Sequence, residues 1–346
     1  MKVRLKDIAE ATGFSINTVS HALRDAPDIS EATKKQIRRV AEEMEYIPDL
    51  RAGSIKSGKS RIISIILPDI INPHFTIVFR EIEQFFRQVG VTPFFMNTNE
   101  SGEEEMNAVR LSIGQKVDGV ILCPTQVSDA PVKLLERSGI PFVLIGRRFD
   151  ASVPSDYVIC DDTQGAYLAT AHLLALGHRS IAYVKTNDRI SSDRERFAGY
   201  RRALEEAGVA FDESWILNLS LTGEQNEETI RRFLQEHCEC TAILSFNDIL
   251  AYGIIRQIRE MGREVPHDVS VMGFDNICSD YRLPLGLSSV SVSKKTMAKR
   301  ASELLYEQMQ MEAAEREALP PRHIVLPTEL YLRETTALCR EEEKPS

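Results

Sequence analysis

The sequence predicts a small all-helical head followed by an α/β body of two doubly wound parallel-sheet lobes. Three observations support this fold class. Residues 1–60 show helical spacing of apolar side chains and contain no run with the pattern of a strand. From Arg61 onward, short apolar strands alternate with helices, which is typical of parallel sheets covered on both faces. About ten such strands are more than one sheet comfortably holds in a chain of 346 residues, so we expect two similar lobes.

Three short helices are predicted in the head. Apolar positions at helical spacing begin at Leu5, and Gly13 is placed to end that helix in a left-handed conformation. Ser15 is a suitable N-cap for a second helix that runs to about Arg24, and Ser30 is a suitable cap for a third. The apolar positions of the third helix are Ala32, Ile37, Val40, Ala41 and Met44.

The first two helices have the pattern of a helix-turn-helix, with a tight turn at Gly13 and polar residues projecting from the second helix. The apolar residues expected where the helices meet are Ile8, Ala9, Val19 and Leu23. Four polar residues at i, i+3, i+4 and i+7 form what we call the recognition stripe: Asn17, Ser20, His21 and Arg24. Asn reads adenine edges, while Arg and His donate to guanine or phosphate. The alternative is a helix face that is merely solvated.

Ile16 has two interpretations. It lies three residues before Val19 and seven before Leu23, so it either packs with them or faces outward and touches a thymine methyl group. The spacing alone does not choose between these alternatives.

The body begins with the apolar run 62–67. Ligands in parallel sheets bind outside the carboxyl ends of the strands. The segments that come directly after the strands are therefore the candidate site segments, and they are 69–75, 147–148, 247–248 and 275–276. The predicted strands are 62–67, 92–96, 119–123, 142–145, 180–184, 242–245, 270–273, 288–293 and 324–326. The predicted helices include 74–88, 103–115, 164–176, 195–207, 227–237, 249–261 and 295–311.

The composition is that of an ordinary globular protein, with 43% hydrophobic and 27% charged residues. No apolar run approaches the length of a membrane span, and the first residues lack a secretory signal, so we expect a cytoplasmic protein without a membrane partner. Residues 1–60 hold 11 basic and 9 acidic residues, a net charge of +2, whereas the remainder carries −11. This asymmetry has the sign expected of a nucleic-acid-binding head on an acidic body.

Two local motifs resemble a nucleotide-binding loop and a metal site, but neither has the surroundings that such a site needs. Residues 53–60 (GSIKSGKS) match the phosphate-binding loop G-x-x-x-x-G-K-S, but that loop must follow a strand and precede a helix, and here the order is reversed. Residues 237–240 (HCEC) supply too few ligands for a structural metal, and no partner pair is present. The six cysteines show no disulfide framework, so we expect buried or tolerated thiols, no metal and no cofactor.

The head resembles the DNA-binding head of the lactose-repressor (LacI/GalR) family. The resemblance is carried by residues 5–23 (LKDIAEATGFSINTVSHAL) and 46–48 (YIP), and it extends over essentially the whole chain. The later blocks that match are 118–120 (DGV), 176–179 (LGHR), 246–248 (FND) and 273–276 (GFDN).

The resemblance implies a domain organisation. Residues 1–48 are expected to be the DNA-binding domain, 49–60 a hinge helix or linker, and 61–346 a two-lobe body like periplasmic sugar-binding proteins. Lobe 1 is expected at about 61–160 and 291–326, and lobe 2 at about 161–290 and 327–340. The residues expected to contact DNA are Lys6, Ser15, Ile16, Asn17, Thr18, Ser20, His21, Arg24 and Ile55.

The expected hinge departs from the family pattern at two positions. Ile55 stands where the family usually has a leucine that wedges into the minor groove, and its β-branch makes it stiffer. Gly53 weakens a helix by about 1 kcal/mol relative to alanine. The alternative to a hinge helix is a plain flexible linker, for which these residues are equally suitable.

Matching the body to the family places an effector site between the lobes. His74 and Phe75 are expected at the rim of lobe 1, and Arg196, Asn247 and Asp275 on lobe 2. Such side chains satisfy vicinal hydroxyls or a heterocycle edge, with Phe75 on the apolar face. The alternatives are that Asn247 and Asp275 only cap turns and that Arg196 pairs with a neighbouring Glu.

One position of the expected effector site differs from sugar-responsive family members. Gly146 stands where some of them carry Asp, and Arg147 and Arg148 come directly after it. This arrangement weakens the case for a neutral sugar and allows an anionic or phosphorylated effector. Arg147 would then be one of the residues that bind it.

The sequence therefore predicts a non-enzymatic transcriptional regulator, chiefly a repressor, that binds operator DNA as a homodimer and responds to a small molecule. Its tail, residues 335–346, lacks the apolar heptads of a tetramerising coil. The sequence shows no nucleophile-elbow or zinc-protease spacing. Two alternatives stay open: a solute-binding protein, and a regulator controlled by a partner protein.

Overall fold

The computed structural model describes residues 3–47, 59–223, 225–279 and 285–340. The chain forms two compact units, Met1–Ser60 and Arg61–Ser346. The predicted hinge positions Gly53 and Ile55 lie outside the described residues. Among the helices described, none is long and apolar enough to cross a membrane.

Local sequence signals set the helix ends of the head. Gly13 ends the first helix with φ of +74°, the left-handed conformation predicted for it. Ser15 accepts a hydrogen bond from the backbone N–H of Thr18 at 3.0 Å and caps the second helix. Ser30 caps the third in the same way, from the N–H of Thr33 at 3.2 Å. The three helices are α1 (Leu5–Thr12), α2 (Ile16–Leu23) and α3 (Glu31–Glu43).

The core of the head forms where the three helices meet, and Leu23 packs against it. The prediction for Ala32 is wrong, because this residue is exposed, and Lys34 is buried on α3 instead. The Lys34 ammonium lies 2.8 Å from a Glu31 carboxylate oxygen and 3.1 Å from one of Asp25, so its charge is compensated. The buried apolar residues are Ile8, Ala9, Val19, Ala22, Ile37 and Ala41.

The first lobe contains a six-stranded parallel sheet with its apolar residues buried on both faces. Its strands are β1 (Ile62–Leu67), β2 (Thr92–Asn97), β3 (Gly119–Leu122), β4 (Phe142–Ile145), β5 (Tyr157–Cys160) and β11 (His323–Leu326). Their order across the sheet is β11-β5-β4-β3-β1-β2.

The second lobe repeats this topology. Its strands are β6 (Ile181–Lys185), β7 (Ile216–Asn218), β8 (Ala242–Leu244), β9 (Ser270–Phe274), β10 (Ser288–Val292) and β12 (Thr328–Tyr331), in the order β12-β10-β9-β8-β6-β7. Unlike its counterpart in the first lobe, the edge strand β12 runs antiparallel to its neighbour. The predicted fold class of two doubly wound lobes is thus confirmed, with one antiparallel edge strand added.

Helices connect most of the strands, and the chain crosses between the lobes three times. The helix after β5 packs on β10 and β12 of the second lobe, whereas the helix after β10 packs on β3, β4 and β5 of the first. Strand β10 ends at Val292, two residues past the boundary expected at 290. The body helices are α4 (Pro73–Gln88), α5 (Gly102–Gly114), α6 (Ala130–Ser138), α7 (Asp162–Ala175), α8 (Ser191–Glu206), α9 (Asn226–Glu236), α10 (Asp248–Glu260), α11 (Lys294–Gln310) and α12 (Ala313–Glu317).

Candidate functional site

The recognition stripe lies along α2 of the head. Asn17 and Arg24 are exposed, whereas Ser20 and His21 are half-buried. Arg24 folds back along the helix, because its Nε donates to the backbone oxygen of Ser20 at 3.2 Å and a terminal nitrogen contacts the Ser20 hydroxyl. The Nδ1 atom of His21 lies 2.8 Å from Oδ2 of Asp28, in the turn before α3. The stripe is therefore accessible, and two of its side chains are held by neighbours.

The remaining residues expected to contact DNA surround the start of α2. The hydroxyls of Ser15 and Thr18 lie 2.9 Å apart, so both take part in the helix cap. Ile16 is 49% exposed, so the interpretation in which it packs into the core does not hold. Lys6 on α1 is exposed and lies 3.6 Å from Glu10.

A cleft of about 500 Å³ lies between the lobes, at the carboxyl ends of their central strands. Pro68, Cys123 and Gly146, each of which comes directly after a strand of the first lobe, line it. Phe246, two residues beyond β8 of the second lobe, lines it as well. The six residues expected to bind the effector also line this cleft: His74, Phe75, Arg147, Arg196, Asn247 and Asp275.

His74 and Asp275 meet across the cleft. Asn72 caps α4 and accepts from the backbone N–H of His74 at 3.0 Å, which fixes that residue at the helix start. Nδ1 of His74 lies 3.6 Å from Oδ1 of Asp275, and within the described residues this buried nitrogen makes no hydrogen bond. Burial, with the nearby charges of Lys294 and Arg196, holds the pKa of His74 well below its usual value. The imidazole is therefore neutral, and the contact is not an ion pair.

The Asp275 carboxyl is buried on the second lobe. Burial raises its pKa to about 6, although Arg196 and Lys294 act in the opposite direction. The ammonium of Lys294 donates to the backbone oxygens of Asp275 and Asn276 at 2.7 and 3.1 Å, which holds the turn after β9 in place. Asp275 thus lies in the cleft as a titratable group with an anchored backbone.

Arg196 projects from α8 into a cage of acidic and aromatic groups. Its Nε donates to Oδ1 of Asp162 at 2.8 Å, and its Nη1 donates to the backbone oxygen of Phe246 at 2.5 Å. A second terminal nitrogen lies 3.7 Å from Asp275, and the guanidinium stacks 3.7 Å from the ring centroid of Phe274. Arg196 is therefore paired with aspartates rather than with a neighbouring Glu. Asp162 was missed in the sequence, although it is the first residue of a helix that comes after a strand.

Arg147 and Arg148 both have carboxylate partners inside the protein. The two terminal nitrogens of Arg147 lie 2.8 and 2.6 Å from the two oxygens of Glu100, a bidentate pair in which Arg147 is 5% and Glu100 15% exposed. Arg148 donates to Glu195 at 2.7 Å. The sequence did not identify Glu100 as a site residue, because it lies 47 positions from its partner.

Asn247 performs the capping role that its position allowed, and it also lines the cleft. Its Oδ1 accepts from the N–H of Leu250 at 2.9 Å at the start of α10. Phe75 lines the opposite wall, with its ring 5.0 Å from that of His74 in an edge-to-face arrangement. The two walls thus offer an amide group and an aromatic surface.

A second set of contacts joins the lobes through Gln126, which the sequence did not indicate. Its Oε1 accepts from the backbone N–H of Ser191 at 2.8 Å, and its Nε2 donates to the backbone oxygen of Arg148 at 2.7 Å. The N–H of Arg148 in turn donates to the Ser191 hydroxyl at 3.1 Å. These bonds fasten the loops after β3 and β4 to the N-terminus of α8.

The two cysteines of residues 237–240 (HCEC) differ in burial. Within the part of the chain that the structure describes, no three His, Cys, Asp or Glu side chains are grouped to hold a metal ion. Cys240 is buried and Cys238 is exposed, and all six cysteines are free thiols.

Comparisons with known proteins agree with this architecture. Residues 4–49 match the family model described as "Bacterial regulatory proteins, lacI family". Residues 60–333 match the model described as "Periplasmic binding proteins and sugar binding domain of LacI family". Together, these two matches cover the helical head and both lobes.

Individual relatives match over nearly their full length. The chain is 32% identical to the HTH-type transcriptional regulator DegA of Bacillus subtilis (strain 168), covering 97% of this chain and 99% of the relative. It is 31% identical to the HTH-type transcriptional repressor PurR of Aliivibrio fischeri (strain MJ11), covering 90% and 93%. A LacI family regulator from Enterococcus faecium, solved with bound ribose, is similar with a TM-score of 0.70, 27% identity, and coverage of 81% and 100%. The chain is therefore a DNA-binding transcriptional regulator of the LacI family.

Proposed function

We propose that the chain is a repressor that binds operator DNA as a homodimer. Its affinity for the operator changes when a neutral sugar occupies the inter-lobe cleft. The observation that carries this proposal is the cleft itself, because its polar groups come from both lobes. A ligand held there contacts both lobes at once and therefore favours one degree of closure over another. Such coupling amounts to about 1–3 kcal/mol between ligand and operator.

The DNA-binding part of the proposal is supported by the exposure of α2. Asn17 and Arg24 present an amide and a guanidinium on one face, and Ile16 adds an exposed apolar side chain beside them. These groups suit adenine, guanine and a thymine methyl respectively. We propose that two copies of this face meet two half-sites about one helical turn apart. Because the target is operator DNA, we place the protein in the cytoplasm.

The neutral character of the ligand is inferred from the charges of the cleft. Glu100 compensates Arg147 in a buried bidentate pair, and Asp162 compensates Arg196. An anionic ligand that paired with either arginine would have to displace its internal carboxylate, and a buried carboxylate left without its cation is strongly destabilising. A sugar offers hydroxyls to Asp275 and Asn247 and an apolar face to Phe75. The anionic effector that Arg147 suggested is therefore the less favoured alternative.

We further propose that the chain catalyses no reaction. Arg147 and Arg196 of the cleft are engaged in ion pairs with Glu100 and Asp162. Cys123 also lines the cleft, but burial raises its pKa to about 12, so its thiol is not a nucleophile at neutral pH.

Calorimetry on the full chain tests the ligand class. We would titrate a panel of neutral mono- and disaccharides and, separately, their phosphate esters. The proposal expects saturable binding of at least one neutral sugar, which weakens by about tenfold or more in the variant Asp275→Ala, since a charge-assisted hydrogen bond is lost. Binding of the esters alone would contradict it.

A further inference from the structure

The contact between His21 and Asp28 gives the recognition stripe a second component. Nδ1 of His21 lies 2.8 Å from Oδ2 of Asp28, and their side chains are 30% and 56% exposed. Asp28 belongs to the turn between α2 and α3, so it reaches the stripe from outside the recognition helix. Any role of this pair at DNA rests on the proposed function, in which the stripe contacts the operator.

The chemistry of this pair fixes which ring nitrogen meets DNA. An ionised carboxylate only accepts hydrogen bonds, so Nδ1 of His21 carries a hydrogen whether the ring is neutral or charged. The hydrogen bond from His21 holds the pKa of Asp28 below its usual value, which keeps the acceptor ionised. Nε2 is then the ring atom left for a base edge or phosphate, and the ring is held in one orientation.

We propose that Asp28 is a specificity-determining positioning residue that selects the base read by His21, although Asp28 itself contacts no base. A free imidazole samples both tautomers and several rotamers, so one ring satisfies several different base edges. The Asp28 carboxylate restricts the His21 ring to one tautomer and one orientation. It also lowers the affinity for DNA, because a negative charge on this face repels the DNA phosphates.

This role makes specificity and affinity change in opposite directions. When Asp28→Ala removes the carboxylate, the ring is released and the repulsion disappears. We expect the preference at the His21-dependent base position to fall by about fivefold or more, within the range of a single base contact. Affinity for nonspecific DNA should rise by about twofold as one negative charge is lost.

The conservative variant Asp28→Asn separates positioning from charge. The amide oxygen of Asn still accepts the Nδ1 hydrogen, so this variant should keep the wild-type base preference and gain only nonspecific affinity. Glu43→Ala is the matched control, because Glu43 is 64% exposed on the side chain and pairs with Arg39 rather than with the stripe. This control should leave the base preference unchanged.

The experiment is a selection from random duplexes at one salt concentration with the full-length wild type, His21→Ala, Asp28→Ala, Asp28→Asn and Glu43→Ala. His21→Ala identifies the base position that His21 reads. Relaxation at that position in Asp28→Ala, with retention in Asp28→Asn, is the expected result. An unchanged preference in Asp28→Ala, a uniform loss of binding to all sequences, or equal relaxation in both Asp28 variants would overturn the inference. A wild type that selects no sequence would instead refute the proposed function.

Discussion

Replacement of Arg196 by alanine tests whether the ion-pair cage of the cleft is a structural requirement of the second lobe. The Arg196 and Asp162 side chains are only 8% and 4% exposed, so solvent screens their pairing little. Removing the guanidinium leaves Asp162 buried without its partner and deprives the Phe246 carbonyl of a donor. Breaking a buried pair from one side costs about 3–5 kcal/mol, so we expect Arg196→Ala to lower the free energy of unfolding by about 4 kcal/mol.

Urea unfolding monitored by tryptophan fluorescence measures this change. Trp215 is the only tryptophan of the sequence, and it packs against the core of the second lobe. Arg196 lies in the same lobe, so the fluorescence of Trp215 reports on the unfolding of the region that the variant changes. Arg256→Ala is the matched control, since Arg256 lines the same cleft and contacts Glu227 but is 57% exposed. Its removal should cost less than about 1 kcal/mol.

Two results decide whether the reasoning is sound. The double variant Arg196→Met with Asp162→Asn should recover part of the lost stability, because it leaves no unpaired charge at position 162. If Arg196→Ala instead lowers the free energy of unfolding no more than Arg256→Ala, the buried ion pairs of Arg196 do not stabilise the second lobe.

Three further predictions concern packing, pH and ligand charge. Gly199→Ala should lower the free energy of unfolding in urea by about 3 kcal/mol, because the added Cβ would lie 2.1 Å from a backbone oxygen of the adjacent helix. Gly253→Ala is the control and should be neutral or stabilising, because a Cβ at this position meets open space. Burial raises the pKa of Asp275 to about 6, so the folded state binds this proton more tightly than the unfolded state, and the contribution of Asp275 to the free energy of unfolding falls as the pH rises from 4 to 6. Asp275→Asn should remove roughly 2 kcal/mol of that fall, measured by urea unfolding at the two pH values, and an unchanged pH dependence would refute the assignment. Glu100→Gln leaves the Arg147 cation without its carboxylate. Calorimetry should therefore show that the affinity for sugar phosphates relative to neutral sugars rises by about tenfold. No rise would show that Glu100 does not determine the charge of the ligand.

Much of the fold was predictable because its signals are local. Cap residues and the helical spacing of apolar positions located α1 to α3, and apolar runs located nine of the twelve described strands. The missed strands, Tyr157–Cys160, Ile216–Asn218 and Thr328–Tyr331, have only three or four residues. Such runs are too short for periodicity to identify them, and two of them are edge strands that depend on pairing with their neighbours.

The candidate site was predictable only in part, for a physical reason. The rule that ligands bind at the carboxyl ends of parallel strands, together with the family resemblance, indicated residues that line the cleft. The partners that set their charge were not visible, because Glu100 lies 47 positions from Arg147 and Asp162 lies 34 positions from Arg196. Adjacent arginines in a sequence therefore suggest an anion site until the fold shows which carboxylates already neutralise them.

Selection of the full chain against random duplexes at fixed salt, repeated with neutral sugars present, tests the central claim most directly. We predict enrichment of a pseudo-palindrome with half-sites about one helical turn apart. We also predict that a sugar which binds the cleft changes the affinity for that sequence by about 5- to 150-fold. Salt-sensitive binding without any selected sequence, or a selected sequence whose affinity no cleft ligand alters, would contradict the claim.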